Sequence, residues 1–212
     1  MSKDEAADIP KNAELASTMR RRTFDEARQR LLSPGSPFEL AEEVVLGETM
    51  TVYKTRARSL RDLLELSSGY GDREHLVFSD GRRWTFSEHF EDVASVAAAL
   101  TDRFDIRAGD RVAILAANAP EWILTYWATV SLGAVVVAMN GWWARDEILA
   151  GLELAKPKLI LADQRRIERL GDYSSAVPIL SFETDFESLR LHDKGARLSK
   201  NPIAEDDPAL LL

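Results

Sequence analysis

Two adjacent indoles are the most conspicuous chemistry-capable residues in this sequence. Trp142 and Trp143 follow Asn140 and Gly141, directly after the apolar run 134–139. The end of a strand is where open parallel sheets bind ligands, and broad aromatic rings there can wall an apolar channel. The same rings can instead pack in the core or against another part of a larger protein. Both are large, and at least one is expected at the surface of this chain. Asn140, Gly141, Trp142 and Trp143 are therefore the candidate substrate-binding residues, with Gly141 permitting a tight turn. Asn118 holds the matching place after the preceding apolar run and reads as a cap or turn residue.

Other candidates are weaker. Glu205, Asp206 and Asp207 are adjacent carboxylates that could hold a cation, but they read as a solvated acidic turn before a strand. The three histidines, His75, His89 and His192, lack metal-ligand spacing, and His89 falls off the apolar stripe of its segment. No Gly-x-Gly-x-x-Gly follows a strand, and neither Gly-x-x-x-x-Gly-Lys nor Gly-x-Ser-x-Gly occurs. With no cysteine, disulfides, thiolate nucleophiles and Cys-ligated zinc are excluded. No catalytic residue and no metal ligand is assigned.

The elements that must position the candidates alternate. Segments 111–116, 134–139 and 157–162 are continuous apolar runs, which read as strands buried on both faces. A fourth strand is expected at 177–180. Helices fill the gaps at 120–133, 144–155 and 164–170, with Pro120 fitting a first helical position. This alternation predicts an α/β fold with a mostly parallel sheet flanked by helices. Upstream, Ser59 reads as the N-cap of a helix ending at Gly69, and Asp80-Gly81 marks a hairpin over 75–86. Thr85 and Glu88 have capping-box spacing ahead of a stripe of Phe90, Val93, Ala97, Leu100 and Phe104. A long loop, 185–205, leads to "DDPALLL" (206–212), read as a further buried strand.

The first 58 residues form a hairpin-rich lead-in, distinct from 59–212. Segment 11–32 is a basic amphipathic helix that reads as solvated surface, with an anionic membrane as its alternative partner. "SPGSP" (33–37) breaks the chain, and 42–55 reads as a hairpin turning at Gly47 and Glu48. The net charge of −8 argues against nucleic acid. No apolar stretch is long enough for a transmembrane segment, and the start has no leader pattern. A cytoplasmic protein is expected, peripheral to a membrane at most.

"RRWTFSEHFEDVASVAAAL", "GDRVAILAANAPEWILTYWATVSLGAVVVAMN", "DEILAGLELAKPKLILAD" and "DDPALLL" follow one another as in the adenylate-forming, AMP-binding superfamily. The stretch 33–65 is similar to bacterial fatty-acyl-CoA synthetases. The resemblance implies the amino-terminal part of a carboxylate–CoA ligase acting on a fatty acid or other carboxylate. It implies ATP, Mg²⁺ and CoA for the longer protein and no cofactor held by these residues. It places the 140–143 segment near a CoA tunnel. Many relatives have a helix-capping Ser or Thr after this segment, where this chain has Ala144. The family's T-S-G-T-T-G-x-P-K phosphate loop would follow the last strand and is not among the 212 residues. The isolated chain is therefore expected to be inert. The alternative is a non-catalytic binding or dimerisation module, acting by self-association.

Overall fold

The computed structural model describes residues 23–173 and 176–212. The chain divides into two compact units, Met1–Arg56 and Ala57–Leu212.

In the first unit, residues 23–31 form helix α1 and the remainder of the expected basic helix lies outside the described residues. Strands β1 (Leu40–Val45) and β2 (Glu48–Tyr53) pair antiparallel, with Leu40 opposite Tyr53 and Val45 opposite Glu48. That register leaves Leu46 and Gly47 as the two-residue turn, one position earlier than the sequence suggested. Both have positive φ, 51° and 91°, as a type I′ turn requires. Gly47 takes its conformation freely, whereas Leu46 is strained by its Cβ. Glu48 is left extended, in the ladder.

In the second unit, α2 (Leu60–Ser68) starts on Ser59, whose hydroxyl accepts from the Asp62 N–H, and it ends at Gly69. Strands β3 (Glu74–Val77) and β4 (Arg83–Thr85) form the expected hairpin, with Gly81 at φ 89°. Helix α3 (Phe86–Phe104) opens on a complete capping box: Thr85 Oγ1 accepts from the Glu88 N–H, and the Glu88 carboxylate accepts from the Thr85 N–H. One departure is His89, expected off the apolar stripe. Its side chain is buried at 1% exposure, beside the His75 ring of β3 at 4.9 Å, because α3 is covered on several sides.

The centre is a five-stranded parallel sheet in the order β8-β7-β5-β6-β9. Its strands are β5 (Arg111–Leu115), β6 (Val135–Ala138), β7 (Leu159–Ala162), β8 (Ile179–Ser181) and β9 (Leu210–Leu211). Alternate residues go to opposite faces, as strand pleating demands. Val112, Ile114, Val136, Leu159 and Leu161 pack towards α3 and α4 (Pro120–Ser131). Ala113, Leu115, Val137, Ile160 and Ala162 pack towards α5 (Arg145–Ala155) and α6 (Gln164–Leu170). Burial on both faces is why these strands read as unbroken apolar runs.

Two further expectations are corrected. The 185–205 stretch contains a short helix, α7 (Phe186–Arg190), whose Phe186 and Leu189 are buried. Strand β9 is not buried: Leu210 and Leu211 are exposed, because the strand lies at the sheet edge with β6 as its one neighbour.

Candidate functional site

Strands β5 and β6 both end at a cavity of about 500 Å³, lined by Ala116, Ala117, Met139, Gly141, Trp142 and Arg166 among others. All strands point the same way, so their carboxyl ends lie side by side, and the small alanines leave space between them.

The 140–143 segment is a tight turn closed by the Trp143 N–H donating to Asn140 O at 3.1 Å. The Asn140 side chain turns inward and accepts from the Trp142 N–H at 2.9 Å. Asparagine thus shapes the turn, and its oxygen is committed to backbone. Gly141 allows a close approach here. Its φ is not among the positive values, but an added Cβ would stand 3.2 Å from Arg166 Nη2 and 3.3 Å from Ala116 O. The turn expected at this glycine is present, without the left-handed conformation that usually explains one.

The two indoles part company. Trp142 is 82% exposed at the cavity mouth. Trp143 is half-buried against the α5 side of the sheet, where a Cβ on Gly151 would come within 2.9 Å of its ring. Asn118 lines the cavity but does not cap α4. Ala119 stands at the N-cap without a side-chain bond, and Pro120 follows. Ala144, at the N-cap of α5, has no polar side-chain atom either. Half a capping box survives there, with Glu147 Oε2 accepting from the Ala144 N–H at 2.7 Å.

Three side chains not evident as site residues from the sequence hold this arrangement. Asp163 caps α6, with Oδ1 accepting from the Arg166 N–H at 2.9 Å. Its other oxygen accepts from the Ala117 N–H at 2.9 Å and from Arg166 Nη1 at 2.9 Å. Arg166 Nε and Arg169 Nη1 each donate to Gly141 O at 3.0 Å, and Arg169 also donates to Trp143 O at 2.7 Å. An Asp at a strand end, three residues before an Arg, was the available signal, and it reads as an ordinary helix cap.

A larger cleft, about 780 Å³, opens on the other side of Ala117 and Asp163, against Trp84, Phe182 and Phe186. Its charged walls are engaged with each other, as in Arg82–Glu121 and Arg190–Glu187, and none of the four candidate residues lines it. Among the described residues no group of three or more His, Asp or Glu could hold a metal ion, and the 205–207 carboxylates do not form one. The acidic run is partly committed: Asp207 accepts from the Ala204 N–H, and Glu205 pairs with Arg58 at 2.8 Å. No helix among the described residues is long and apolar enough to cross a membrane.

Residues 65–212, from within α2 through β9, match the family described as AMP-binding enzyme. The chain belongs to that family. The matched stretch includes both strand ends of the cavity and the whole 140–143 turn. Among curated proteins, the chain is 32% identical over 114 residues to the acyl-CoA ligase sidI of Beauveria bassiana, covering 53% of this chain and 19% of that protein. It is 30% identical over 141 residues to 2-succinylbenzoate–CoA ligase of Bacillus velezensis, covering 66% and 28%. Among solved structures, the NpsA N-terminal subdomain of Klebsiella oxytoca in complex with 3-hydroxybenzoyl-AMSN is 26% identical, with a TM-score of 0.64. It covers 77% of this chain and 39% of that one. The N-terminal domain of FACL13 from Mycobacterium tuberculosis has a TM-score of 0.65 at 21% identity, over 73% and 41%, and this is a likeness of fold. The chain thus spans about a fifth of the length of the sidI relative.

Proposed function

We propose that residues 1–212 are the amino-terminal portion of an ATP-dependent carboxylate–CoA ligase, one that acts on a fatty acid or similar carboxylate in the cytoplasm. The observation that carries this reading is the family match over the very strands whose carboxyl ends build the cavity. The names of the relatives, acyl-CoA ligase and 2-succinylbenzoate–CoA ligase, support the reaction class. In that reaction a carboxylate oxygen attacks the α-phosphorus of ATP, giving an acyl-adenylate and pyrophosphate. The CoA sulfur then attacks the acyl carbon, and AMP leaves. Both steps develop charge that needs dense electrostatic stabilisation.

These 212 residues contribute shape. Asn140 and Gly141 form the turn, Trp142 walls the cavity mouth, and Trp143 anchors the segment to the sheet. No glycine-rich phosphate loop is among these 212 residues, and the reading assigns turnover to the longer protein. The test is acyl-CoA formation by the complete reading frame that contains these residues, with a panel of carboxylates of increasing chain length. ATP-dependent release of AMP with any of them supports the reading. A frame that ends at codon 212 overturns it.

A second reading, a self-associating module, is favoured by the exposure of Trp142 together with the edge residues Leu210 and Leu211. Sedimentation of the 212-residue chain distinguishes the two, since a concentration-independent monomer excludes the module.

A further inference from the structure

Trp142 has little of its own to hold it. Its N–H meets Asn140, and its ring stands in solvent. Its place is inherited from Gly141, and Gly141 is gripped from outside the turn. The grip is a chain of hydrogen bonds across three neighbouring strand ends. It runs from the Ala117 N–H after β5 to Asp163 Oδ2 after β7, on to Arg166 Nη1, and from Arg166 Nε to Gly141 O after β6. Arg166 is 6% exposed and packs where Gly141 lacks a Cβ. A planar guanidinium can address a carboxylate and a carbonyl at once along fixed directions, which a lysine ammonium cannot.

We infer that Arg166 is a positioning residue that sets the width of the cleft between Ala117 and Trp142, and so determines how bulky an apolar chain the cleft admits. This rests on the proposed carboxylate–CoA ligase function, with the cavity that Trp142 walls serving as the channel for its substrate. Arg169 also donates to Gly141 O but has no bond to Asp163, so it steadies the turn without tying it to β5. Arg166 connects both walls.

The experiment uses the 212-residue chain labelled with 5-fluorotryptophan, with the Trp142 ¹⁹F resonance assigned through Trp142→Phe. In Arg166→Gln the Trp142 resonance shifts or broadens while those of Trp84 and Trp127, on other elements, stay put. Arg166→Lys does not restore it. Gly141→Ala displaces the guanidinium without removing any hydrogen-bonding group and moves the same resonance, which keeps the test decisive if Arg166→Gln fails to fold. Dodecanoyl-CoA and acetyl-CoA are then titrated as probes into the protein encoded by the complete reading frame that contains these residues. The ratio of their dissociation constants changes by about tenfold in Arg166→Gln and Gly141→Ala, the lower end of what one methylene of fit is worth in an apolar pocket. If the Trp142 resonance and that ratio stay at wild-type values in both variants, the positioning role is overturned. If that complete wild-type protein binds neither probe, the channel reading fails, and the Trp142 resonance alone still decides for or against Arg166.

Discussion

His89 should make this protein acid-sensitive in a pH range where its carboxylates do not. The ring projects from α3 into the protein at 1% exposure, and neither nitrogen has a hydrogen-bond partner. Burial pushes its pKa down to about 4, helped by the neighbouring His75 ring at 4.9 Å and opposed by Asp92. Asp92 gives limited help because its carboxylate already serves Trp84, Arg190 and Lys194. In the unfolded chain the same ring titrates near 6.5. A base whose pKa is depressed on folding is neutral in the native state and charged in the unfolded state between the two values. Its effect on stability is therefore absent above about pH 6.5 and grows more unfavourable as pH falls to about 4, at roughly 1.4 kcal/mol per unit. The expected loss between pH 7 and pH 5 is about 2 kcal/mol. His75, also lowered by burial, adds to it in the same direction. Urea unfolding at pH 7 and pH 5 on wild type and His89→Leu isolates the ring, because the carboxylates titrate alike in both. The variant should lose about 2 kcal/mol less than wild type over that interval. An identical acid loss in the two proteins, or an NMR titration placing His89 near 6.5, would refute the reasoning.

Four shorter predictions follow from other elements. Ala144→Ser supplies the missing half of the capping box at α5 and should stabilise the chain by about 1 kcal/mol in urea melts. Leu46→Gly relieves a left-handed leucine in the β1–β2 turn and should stabilise the hairpin by roughly 1 kcal/mol, read as slower amide exchange at Val45 and Glu48. Ile114→Ala empties a fully buried place in the central strand and should cost about 2–5 kcal/mol, seen as a lower unfolding midpoint. Calorimetry of the 212-residue chain with millimolar ATP and Mg²⁺ should show no saturable heat, and a micromolar dissociation constant would contradict the proposed division of labour.

What the amino-acid order determined by itself was the doubly wound core. Runs such as 111–116 and 134–139 have no polar face, so they can be satisfied only inside a sheet covered on both sides. The capping box at Thr85 and the cap at Ser59 were equally legible, because their partners lie three residues away. The turn carrying Asn140 to Trp143 could be located from its place after a strand. Its grip could not, since Gly141 O meets Arg166 and Arg169 across 25 and 28 residues and Ala117 meets Asp163 across 46. Local pattern also misjudged His89, whose burial depends on which helices close over α3, and β9, whose exposure depends on lying at the sheet edge. Periodicity reports which face of an element is apolar. Tertiary structure decides which faces are covered, and only there do distant polar groups find the partners that build a site.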